Sequence, residues 1–211
     1  LWASSLRDVK ARMRGLFTQS RVAASAGQFL DGLLGDERRK TGWMRAEAAG
    51  DPGPWRQQAL LGRGRWDADA LRDIVRDYVV ETLAAPDAVL VIDETGFLKQ
   101  GNASCGVARQ YTGSAGKITN CQIGVFASYV SRHGHAFIDR SLYLPAIEDS
   151  SETAKNELGL DHNETRTWHG WHRHVSLVML AFAMTAVIRH HANVAPPPKT
   201  LRKINQMHYQ H

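Results

Sequence analysis

Cysteine is scarce in this chain, with only Cys105 and Cys121 in 211 residues. So low a count at this size excludes a disulfide framework and indicates a reducing compartment, and both thiols read as free, small apolar fillers. Long hydrophobic runs are lacking too. The longest, Val175 to Ile188, is shorter than a bilayer-spanning helix requires and ends in Arg189, His190 and His191. No basic-then-apolar leader opens the sequence, which starts at Leu1 rather than Met, so residue 1 need not be the native start. A cytoplasmic protein with no membrane partner is expected. Acid is in modest deficit, 21 Asp and Glu against 26 Lys and Arg, for a net charge of +5 with His neutral. That balance favours a polyanionic partner without proving one. The length suits one domain with its own core, or one domain with a small helical appendage, and no internal repeat is present.

From Ser5 to about Ala84 the sequence reads as a string of helices. The clearest runs from Asp67 to Leu83, where Leu71, Ile74, Val75, Tyr78, Val79 and Leu83 recur at the spacing of one helical stripe and Asp67 is placed to cap the first turn. Ala84, Ala85 and Pro86 then end it. Upstream, Arg38, Arg39, Lys40, Arg56, Arg63 and Arg65 scatter positive charge among short helices separated by Gly50-Asp51-Pro52-Gly53 and by Gly62 and Gly64. Such charge usually makes a solvated face; contact with DNA is the alternative.

The segment Val89 to Gly101 changes the pattern. Val89, Leu90, Val91 and Ile92 form a short, apolar, mostly β-branched run, the pattern of a strand buried on both faces, and the run ends in Asp93. A charge so placed costs several kcal/mol unless paired or bound to a metal, which suggests a site; capping of the following turn is the plainer reading. Consecutive antiparallel strands are predicted next, at Val107 to Tyr111, Gln122 to Val130 and Ala136 to Tyr143, with turns at Gly113 to Lys117 and Ser131 to Gly134. Helices return after Pro145. One is expected from about Ile147 to Leu158, and a longer one from Thr167 to His191 carries an apolar stripe of Trp168, Trp171, Val175, Val178, Met179, Phe182 and Ala186. Glu148 and Lys155, seven positions apart with Glu152 between them, fall on nearly the same helix face, where an ordinary surface ion pair contributes less than about 1 kcal/mol.

Two blocks of the sequence give these acids a sharper meaning. Ile92-Asp93-Glu94-Thr95-Gly96-Phe97, then Val107 to Gly113 and Asn120 to Val125, resemble the catalytic-core opening of bacterial insertion-sequence transposases of the DDE type, enzymes with a ribonuclease H-like fold. Glu148, Lys155, Gly159-Leu160-Asp161 and Trp168-His169-Gly170-Trp171-His172-Arg173-His174 resemble their C-terminal block. The resemblance covers most of Glu47 to Asn193 in the same order. It implies that Asp93 is the first acid of the catalytic triad, Glu148 the last, and Lys155 the lysine that meets DNA phosphate. In that family the acids hold two divalent cations, Mg2+ or Mn2+, for in-line displacement at a DNA phosphodiester.

The departures matter as much. The segment that should carry the second aspartate is absent, since the strand ending at Leu144 and Pro145 runs straight into Ala146-Ile147-Glu148. The family's tyrosine and arginine before the glutamate are replaced by Ser141 and Leu144. An internal deletion between Pro145 and Ala146 is the simplest account. Glu94 points to the opposite strand face from Asp93, and Asp139, Asp149 and Asp161 are poor substitutes given the tolerance of catalytic constellations. His162, His169, His172 and His174 could bind zinc, but they lack a cysteine companion and match no common closed site. The expected fold class is α/β: an N-terminal helical, DNA-binding region over 1–84, a truncated ribonuclease H-like core of three to four strands plus C-terminal helices over 85–192, and a basic tail over 193–211. The expected function is that of a DNA transposase defective in strand cleavage, or a non-catalytic DNA-binding remnant. Its expected partners are DNA at the element ends and further copies, as a homo-oligomer or with intact transposase. Lost central strands should expose a sheet edge, leaving marginal stability or a partner over the gap.

Overall fold

The computed structural model describes residues 1–101, 103–144 and 167–194. Five helices come first: α1 (Trp2–Met13), α2 (Ser20–Leu34), α3 (Gly42–Ala48), α4 (Trp55–Gly62) and α5 (Ala68–Leu83). The α5 helix forms as its sequence dictates. Asp67 accepts hydrogen bonds from the backbone amides of Asp69 (2.7 Å) and Ala70 (3.3 Å), satisfying donors that a helix start leaves open. Leu71, Val75, Tyr78, Val79 and Leu83 are buried along one stripe.

Four strands follow, β1 (Val89–Leu98), β2 (Ala108–Thr112), β3 (Lys117–Ser131) and β4 (Gly134–Leu142), and then the long helix α6 (Trp168–Val194). All the pairings are antiparallel, but the sheet is not a simple meander: β1 pairs with β3 rather than with β2. The long β3 is the spine. Cys121 faces Leu98 on one side and Ala108 on the other, so β2 and β4 lie in succession along the edge of β3 opposite β1. The architecture is thus mixed α/β, with N-terminal helices and a four-stranded sheet, consistent with a truncated ribonuclease H-like core.

Four expectations are corrected here. The Val89 to Ile92 run is not buried on both faces: these residues are 44–68% exposed, because β1 is an edge strand with no partner on its outer side among the described residues. The strand also continues to Leu98, which places Asp93 mid-strand rather than at its end. In α6 the apolar residues are buried all round rather than along a stripe, with Val175, Leu177, Met179, Leu180, Ala183 and Met184 fully enclosed. At 27 residues α6 is long and apolar enough to cross a membrane, contrary to the short run expected, yet it packs against α5 and β4 as the central core helix. Its approach to the sheet is close. A Cβ at Gly124 would lie 2.9 Å from the Trp171 ring, so glycine is what lets the two meet. One hydrophobic core runs from Val9 and Phe29 through Leu71 and Phe126 to Trp171 and Val187. Cys105 and Cys121 are both free thiols.

Candidate functional site

Directly paired residues of neighbouring strands share a sheet face. Asp93 is opposite Phe126, which is opposite Arg140, so these three make one row across β1, β3 and β4. Phe126 packs against Trp171 at 6.4 Å between ring centroids, which identifies the face as the one α6 covers. The inner members of the row, Phe126 and Arg140, are buried. Asp93, at the outer end, is exposed, and its Oδ1 accepts from the backbone amide of Glu94 at 2.8 Å. The carboxylate therefore carries none of the desolvation penalty expected for a buried acid.

Beside the inner end of the row lies a cleft of about 690 Å³ between the start of α5, the end of β4 and the start of α6. Its innermost charges are paired with one another. Arg140, 1% exposed at its side chain, pairs with Asp69 at 2.7 Å and donates to the Ala68 carbonyl at 3.1 Å. That hydrogen bond from Arg140 holds the Asp69 carboxyl below its ordinary value, while burial lowers the Arg140 guanidinium. His172 rests against Trp168 and Trp171, its Nδ1 3.0 Å from the Trp168 carbonyl, and burial keeps its pKa below that of a free imidazole. Sequence reasoning missed the Asp69–Arg140 pair, whose members are 71 positions apart.

A second cleft, of about 750 Å³, opens between the start of α2 and the end of α4. Arg21, Arg56, Arg63 and Arg65 line it, with no carboxylate among its walls. The sequence singled out Arg56, Arg63 and Arg65 as scattered charge; that Arg21 joins them is set by the packing of α2 on α4.

The remaining predicted acids do not complete a site. Glu148 and Lys155 lie outside the described residues, as do Asp149, Glu152, Asp161, His162 and the helix expected over 147–158. Asp139 shares the row of Ala127 and Ile92, not that of Asp93, and its carboxylate is engaged by Arg72 and Arg76, each at 3.4 Å. Of the histidines, His169 lines the first cleft while His174 is buried edge-on to Phe29 at 6.0 Å. Among the described residues no three His, Cys, Asp or Glu side chains gather where they could hold a metal ion. A divalent ion seeks several hard oxygen ligands, and Asp93 alone does not fit that demand.

Known proteins complete the comparison. The family model described as DDE superfamily endonuclease matches residues 12–200. Among curated proteins, the probable transposase for insertion sequence element IS701 of Microchaete diplosiphon is 35% identical over 97 residues, covering 44% of this chain and 25% of that protein. This chain thus spans about a quarter of the length of that relative. No solved structure matches. With a family match over most of its residues, the chain belongs to the DDE superfamily of endonucleases.

Proposed function

We propose that the chain is an insertion-sequence transposase that binds DNA and is defective in strand cleavage. The observation that carries the defect is in the sequence, where the expected strand ending at Leu144 and Pro145 runs straight into Ala146-Ile147-Glu148 without the segment in which the family carries its second aspartate. Asp93 itself sits exposed on an edge strand. A transposase of this type needs its acids to hold Mg2+ or Mn2+ against the scissile phosphate; Asp93 and Glu148 are the proposed ligands and Lys155 the proposed phosphate contact. The helices of residues 1–84 are the proposed DNA-binding region and residues 85–192 the proposed core, preceding a basic tail.

The test is a nicking assay on supercoiled DNA carrying the element's ends, in Mg2+ and then Mn2+. DNA binding without nicking is the expected result. Metal-dependent nicking that disappears in Asp93→Ala would show that catalysis survives and would overturn the defect. In the non-catalytic reading, the chain associates with itself or with intact transposase and lowers transposition when the two are mixed.

A further inference from the structure

We propose that the arginine-lined cleft between α2 and α4 holds the DNA phosphate backbone. The inference rests on the DNA-binding reading above and assigns it to particular residues. Arg21, Arg63 and Arg65 are exposed, face no carboxylate in the cleft, and have no ion-pair partner among the described residues. Arg56, the fourth, is already paired with Asp51 at 2.5 Å. Phe17 and Leu60, both buried, form an apolar floor beneath them. Three unneutralised guanidiniums over an apolar floor repel one another in the free protein, and phosphate oxygens relieve that repulsion through charge-assisted, bidentate hydrogen bonds.

The cleft is also held in shape. Arg63 and Arg65 lie on the short connection between α4 and α5, and three hydrogen bonds fasten that connection. The Trp66 indole donates to the Leu60 carbonyl at 2.9 Å, while Arg173 of α6 donates to the carbonyls of Leu61 at 3.0 Å and Trp66 at 3.3 Å. Trp66 packs tilted against Phe17 at 5.5 Å between ring centroids, tying the same connection to the chain entering α2. Guanidiniums on a pinned loop bind with less ordering loss than those on a free one. Arg65 further lines both clefts, and the carboxylates of Asp67 and Asp69 in the second mark where the basic surface ends.

The experiment is salt-dependent anisotropy with a fluorescein-labelled duplex of about 20 base pairs, comparing the unaltered chain, the Arg21→Ala/Arg63→Ala/Arg65→Ala variant and an equal-charge control. The control, Lys117→Ala/Arg132→Ala/Arg189→Ala, removes three exposed basic side chains outside the cleft and outside residues 1–84. The cleft variant should bind about tenfold more weakly or worse and lose roughly 2 to 3 from the slope of log affinity on log salt, while the control changes little. Replacing the three cleft arginines by lysine should keep the slope. Equal losses in the cleft variant and the control, or a lost slope in the lysine variant, would overturn the cleft while leaving the DNA-binding reading intact. An unaltered chain that does not bind the duplex would overturn both.

Discussion

Arg140 shows how much a single buried charge depends on its partner. Its guanidinium is almost wholly enclosed and is met by Asp69, whose own carboxylate is largely exposed. Asp69→Ala is therefore expected to leave a buried cation short of an acceptor and to destabilise the fold by about 1–3 kcal/mol, with Asp69→Asn milder, measured as shifted urea midpoints. His172 adds a pH dependence of definite sign. Burial holds its folded pKa below the ordinary 6.5, so the unfolded chain takes up the proton first on acidification. Its contribution is complete above about pH 6.5 and is lost as pH falls through the window below that value. His190, lowered by burial and then by His133 and His191, adds the same sign. His172→Gln should therefore flatten, without abolishing, the fall in urea midpoint between pH 7.5 and pH 5. At this scale the sequence disclosed residue types but not surroundings. Asp93 was legible as the acid to explain, yet whether it was buried depended on neighbours that no local pattern encodes.

Among the elements, α5 was the most legible, since its stripe and its Asp67 cap are local properties and both form as read. The strands were placed within a few residues, whereas their order was not, because β3 binds both neighbours and only long-range pairing reveals that. For α6 the one-sided stripe understated its burial, as small residues such as Ala181 and Ala183 also face neighbours. Leu177→Ala, in a fully enclosed position, should destabilise by about 2–5 kcal/mol in denaturant titrations. The apolar run of β1 misled because burial depends on what covers a strand, and β1 has no outer neighbour among the described residues. Unpaired backbone and exposed aliphatic side chains on an edge invite strand addition from other molecules. Ile92→Lys, at a position already 68% exposed, should leave the thermal midpoint nearly unchanged while lowering concentration-dependent light scattering. Unchanged scattering would remove β1 as the sticky edge.

For the molecule as a whole, the continuity of the core sets how it comes apart. Residues from α1, α2 and α5 share one apolar cluster with β3, β4 and α6, so the helical region and the sheet should unfold together. Two well-separated calorimetric transitions would contradict this. The fold class was legible because the change of period from helical to alternating and back is written along the chain, and the site only in part because what surrounds Asp93 is set by long-range pairing and packing rather than by its own segment. The fastening of the α4 to α5 connection by Arg173 has a genetic corollary. The basic cleft near the N-terminus is braced by a side chain encoded downstream of the expected junction at residue 145. A deletion that kept the reading frame would preserve that brace, whereas a frameshift at the same place would loosen the grip on DNA along with the chemistry, so the two kinds of lesion should leave different molecular phenotypes.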